Sequence, residues 1–113
     1  MFRRVLAAAF VSALMGAPAA AQDPSASLAQ DLSSCAGAVA AVGNLDVLTH
    51  PRDVTGEWAP VLTRILERLN TEPGVEGMTG RYAASAARSF WVERPQAERE
   101  AAANRCRDRF GGA

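Results

Sequence analysis

Two cysteines, Cys35 and Cys106, stand far apart in the chain, and whether they pair or react decides what a domain of this size can be. Each lies in a segment with helical spacing. Leu28, Leu32, Cys35, Val39 and Val42 recur at steps of four, three, four and three, the pattern of one helical stripe. Ala102, Cys106 and Phe110 recur at steps of four, with Ala103 beside them. Both thiols are therefore expected to face a shared core, where only one intramolecular pairing is available to them. A disulfide closing a loop of about 70 residues stabilises a fold by roughly 4 kcal/mol in the chain-entropy model. Redox chemistry instead favours an exposed, low-pKa thiol with a resolving cysteine nearby. Arg105 and Arg107 flank Cys106, but immediate neighbours on a helix point away from its face. The pair reads as a structural bond.

Such a bond needs an oxidising compartment. The chain opens MFRRVLAAAFVSALMGAPAAAQDP, with Arg3 and Arg4 before an apolar run, then Gly16, Pro18 and small residues at Ala19 and Ala21. A basic start, a short apolar run and an A-x-A site predict a secretory signal over residues 1–21, cleaved before Gln22. The run falls short of the roughly 20 residues that span a bilayer, and no cysteine follows it to accept a lipid, so no stable membrane anchor is expected after cleavage. The very short basic region favours general secretory export over the twin-arginine route. The protein is thus expected to be periplasmic or secreted, with residues 22–113 forming one small domain.

Every basic residue is an arginine, and the chain holds 12 basic against 12 acidic residues. Arg3 and Arg4 fall in the signal, so the remainder carries a slight acidic excess. Arginines alternating with acids supply no long-range attraction for nucleic acid, which is not expected as a partner.

The rest of the pattern predicts helices throughout. Asp23, Ser25 and Ser27 are candidate N-caps for the first helix, and Gly43 is placed to end it. Around Cys35, Ala36, Gly37, Ala38, Ala40 and Ala41 keep that helix slim enough for a close neighbour. Residues 44–56 break the pattern, with His50 before Pro51, and read as a loop. Thr55 is a candidate cap for the second helix, Glu57 suits its first turn, and Trp58, Leu62, Ile65, Leu66 and Leu69 form its apolar face. The glycines and proline of 71–82 predict a turn running into the third helix. There Met78, Tyr82, Ala86 and Phe90 line one face, with Trp91 on its shoulder, until Arg94 meets Pro95. A last helix follows and ends at Gly111 and Gly112. The expected fold is all-α, a small bundle of three to four helices closed by one disulfide between the first and last. The turn at 71–80 and the His50 loop are its expected mobile parts.

Sites of chemistry are sparse. His50 is the one histidine, with Asp46 and Asp53 close in sequence; it is a weak metal candidate, and a solvated loop histidine is the expectation. No serine lies in a nucleophile motif, and no phosphate loop, dinucleotide fingerprint or haem-attachment motif is present. No catalytic residue and no cofactor are implied. Phe90 and Trp91, adjacent large aromatics on one helix, cannot both face the core and are candidates for an interaction surface, with Trp58 a third. The functional expectation is a non-enzymatic accessory protein that binds a protein partner in the cell envelope. The alternative is a carrier of a small ligand or metal, bound between helices or at the His50 loop.

Overall fold

The computed structural model describes residues 24–52 and 55–111 of the chain. The expected signal over 1–21, the Asp23 cap and Gly112 lie outside the described residues. Helix α1 runs Pro24–Gly43, α2 Ala59–Leu69, α3 Met78–Val92 and α4 Gln96–Cys106, and α4 continues into a π-helical turn at Arg107–Gly111. The fold is an all-helical bundle of four helices, with no strand among the described residues.

Helix α1 is the axis of the bundle and touches each of the other three helices. The predicted stripe is present, with Leu32, Cys35 and Val39 buried, but burial extends well beyond it. Ala36, Gly37, Ala38 and Ala40 are buried too, so the middle of α1 is enclosed rather than one-sided. Small side chains permit this enclosure. A Cβ added to Gly37 would lie 2.5 Å from both the Ala87 Cβ and the Arg88 backbone nitrogen, so α1 and α3 meet almost backbone to backbone.

The end of α1 differs from expectation by one residue. Gly43 is still helical, and Asn44 takes the left-handed conformation, with φ of 55°. The Leu45 N–H then donates to the Ala40 carbonyl at 2.8 Å, closing a Schellman turn whose apolar member, Leu45, is buried. Gly43 is needed for space instead, since a Cβ there would meet Trp58 and Leu45.

Helix α2 carries the predicted face, with Leu62, Ile65, Leu66 and Leu69 buried in the core. Complete burial of side chains of this size contributes about 1.5–3 kcal/mol each. Its start is a correction. Thr55 caps nothing, because the helix begins four residues later, with Trp58 at the N-cap and Pro60 in the first turn. Proline suits that position, where the first N–H groups have no helical partner.

Helix α3 packs on its small residues. Met78, Tyr82, Ala86 and Phe90 share one face, as their spacing predicts, and that face is the solvent side; Gly80 and Ala84 are the buried residues. A helix pressed against the alanines and glycine of α1 has room for a small residue such as Ala87 at the seam and none for aromatic rings. Close packing of small groups determines which face turns in.

Pro95 ends α3 and opens α4 as expected, its carbonyl accepting from the N–H groups of Glu98 and Arg99. Helix α4 buries only Ala102, Ala103 and Cys106. Cys106 is bonded to Cys35 with a Cα–Cα separation of 5.4 Å, which joins the last helix to the first as predicted. α-Helical geometry stops at Cys106, five residues short of the expected glycine end, and the π turn buries Phe110 and Gly111. Gly111 seats against Val61, and its carbonyl accepts from Arg64 Nη1 at 2.8 Å. Arg68 and Arg109 lie 5.2 and 4.5 Å from the Phe110 ring centroid.

Candidate functional site

The site residues read from the sequence fall into three separate places. Phe90 and Trp91 sit together near the end of α3, rings edge to face with centroids 5.1 Å apart. They divide the two environments available there. Trp91 is half-buried and its Nε1–H donates to the Ser34 carbonyl of α1 at 3.1 Å, whereas Phe90 is 56% exposed. Arg94, bonded to Glu98, lies 5.8 Å from the Phe90 centroid on the solvent side. Continuing along α3, Tyr82 is 60% exposed and Met78 is exposed as well, so the outer face of the helix is a row of large apolar groups.

Trp58 belongs to another corner. It packs against the core beside Gly43, and the Arg107 guanidinium stands 4.6 Å from its ring centroid while pairing with Glu57. From Ser34, under Trp91, to Gly43 is roughly 14 Å along α1 at the helical rise. The structure does not bring Trp58 together with Phe90 and Trp91.

His50 is the third place, and the expectation of a solvated loop residue is overturned. It is 4% exposed, in a loop folded inward on buried Leu45 and Val47. Asp46 Oδ1 accepts from the Leu48 N–H at 2.9 Å, forming a local turn, and the His50 N–H reaches the Asp46 carbonyl. The His50–Pro51 peptide is cis. Arg81 of α3 ties this loop to the bundle, its Nη1 donating to the Val47 carbonyl at 2.8 Å and the His50 carbonyl at 2.7 Å. The His50 Nε2 is 2.8 Å from Thr63 Oγ1 on α2, and the Thr63 hydroxyl donates to the Ala59 carbonyl. Nδ1 is buried with no partner among the described residues. Burial first, then the positive charge of Arg81, hold the imidazole pKa below its ordinary value, with the Ala59 carbonyl acting the other way. The ring is neutral at neutral pH.

His50 lines a cavity of about 320 Å³ between the loop, α2 and α3, together with Thr63, Glu67, Asn70 and Arg81. Leu66, Leu69 and Val75 form its apolar wall. On its far side the 71–77 turn is tied down, with the Gly77 N–H donating to Asn70 Oδ1 at 2.6 Å and the Gly74 N–H to Glu76 Oε1 at 2.9 Å. No group of three or more metal-ligating side chains converges among the described residues. Sequence reasoning missed Arg81 entirely. Its one signal was a charged residue between Gly80 and the alanines of α3, the face that turns inward.

No family model matches the chain, and neither a curated protein nor a solved structure matches it.

Proposed function

We propose that this chain is an exported, non-enzymatic accessory protein of the periplasm that binds a protein partner through the outer face of α3. The observation that carries the reading is the row Met78, Tyr82 and Phe90, large apolar side chains at helical spacing left open to solvent. Single exposed apolar residues are ordinary, but aligned aromatic ones are a recurrent feature of helix-mediated docking. The Cys35–Cys106 bond is compatible with an oxidising compartment, as is the basic, apolar start of the sequence. No helix among the described residues is long and apolar enough to cross a membrane.

The test is a pull-down from the cell envelope using the wild type and a Tyr82→Ser, Phe90→Ser double variant. Both side chains are exposed, so the variant should keep its melting temperature and lose the wild-type partner. Recovery of the same partner by both proteins would remove this surface from the function. A small-ligand carrier is the second reading, favoured by the cavity that His50 lines. Binding of any small molecule there is its test.

A further inference from the structure

The outer face of α3 carries no charge over about three turns. From Thr79 to Phe90 the charged residues of the helix are Arg81 and Arg88, and both are turned off this face. Arg81 donates to the Val47 and His50 carbonyls, and Arg88 Nη2 to Asn44 Oδ1 at 3.2 Å. What stands in the open is Thr79, Tyr82, Ala86, Ser89 and Phe90. Charged residues make up 21% of the chain, so an exposed, uncharged strip of this length has the composition of an interface core rather than of a solvated helix.

The order of sizes along the strip selects its occupant. Tyr82 and Phe90 lie on either side of exposed Ala86, each four residues and roughly 6 Å away along the axis. A large, small, large arrangement centred on its small member is complementary to itself. With a second α3 laid antiparallel across the first, about a two-fold axis through Ala86, Tyr82 of each copy meets Phe90 of the other as an aromatic pair. The two Ala86 methyl groups leave the helices room to approach. The polar members match as well, since Thr79 falls opposite Glu93 and sets a hydroxyl donor against a carboxylate. Antiparallel order also places each helix N-terminus beside the other's C-terminus, so the dipoles oppose. An unrelated partner would place no requirement of symmetry on the strip.

We propose that α3 is the contact of a symmetric homodimer, two copies of this chain joined antiparallel across Ala86. This rests on the reading of the outer face as a docking surface and names its partner. A strip one helix wide and about 22 Å long covers less than the roughly 800 Å² per partner of a stable interface, so the dimer is weak.

The experiment is sedimentation equilibrium of the disulfide-bonded protein from about 5 µM to about 1 mM, with cysteine cross-linking to read the register. The average mass should rise from one chain towards two, with a Kd between about 10 and about 500 µM. Ala86→Glu sets two carboxylates against each other on the axis. It should keep the wild-type melting temperature at low concentration and weaken association at least about tenfold. Under oxidation by diamide, Ala86→Cys should give a covalent dimer, because its two copies meet on the axis. Thr79→Cys should not, its two copies standing roughly 21 Å apart along the helices. A protein still monomeric at about 1 mM would overturn the proposal, as would association unchanged by Ala86→Glu. Thr79→Cys cross-linking as readily as Ala86→Cys would overturn the antiparallel register. A monomer whose Tyr82→Ser, Phe90→Ser variant loses an envelope partner would overturn the dimer and leave the docking reading standing.

Discussion

Gly37 is the residue on which the bundle closes most tightly. The atoms its added Cβ would strike include the Ala87 carbonyl carbon at 2.6 Å and the Arg88 nitrogen, which are backbone and cannot rotate away. Gly37→Ala should therefore force α1 and α3 apart and destabilise the protein by about 1–3 kcal/mol, despite alanine's better helix propensity. Urea unfolding of the purified variant measures it. His50 makes the second residue-scale prediction. Its pKa is lowered on folding, so as pH falls through the ordinary value of 6.5 the unfolded chain takes up a proton that the folded chain does not. Stability is complete above that value and declines as pH drops towards the lower folded pKa. His50→Gln should remove this component, so that the difference in stability between the two proteins changes across the weakly acid range. Denaturant midpoints taken at neutral pH and about one unit below the ordinary value compare them directly.

At the scale of elements, α3 does two jobs with two faces. Its inner face buries Ala84 in the core, seats Gly80 against Leu69 and the Val75 carbonyl, and sends Arg81 to the 44–52 loop. Loss of that guanidinium leaves the Val47 and His50 carbonyls without their donor. Arg81→Met should cost about 1–3 kcal/mol, a range reduced for the residue's partial exposure. Faster amide hydrogen exchange at residues 45–50 than in α2 would locate the damage in the loop. The outer face should behave oppositely, with Tyr82→Ser and Phe90→Ser each changing stability by less than about 0.5 kcal/mol. Thermal melts distinguish the two faces. Ala87 is what fits opposite Gly37, so the large side chains of this helix lie on its other face.

For the molecule as a whole, the disulfide does most for the element that needs it most. Helix α4 is largely polar over Gln96–Glu100 and buries three small side chains, so little besides the bond and the Arg109–Asp31 pair ties it to α1, while the Phe110 turn seats on α2. Cys35→Ser with Cys106→Ser should lower stability by about 4 kcal/mol in the chain-entropy model. Hydrogen exchange should show α4 opening before α1 and α2. The sequence by itself determined the helical class, the inward α1 stripe, the apolar face of α2 and the Cys35–Cys106 pairing. These were legible because helical period and large aliphatic side chains are local properties, and two cysteines leave one intramolecular pairing. Tertiary structure alone decided that α1 is enclosed, that α3 turns Tyr82 and Phe90 outward, and that His50 is buried. Each of those depends on a partner distant in the chain: Ala87 against Gly37, Thr63 and Arg81 around His50. Close contact between backbones outweighs the hydrophobicity of any one side chain, and no period within a single helix records it.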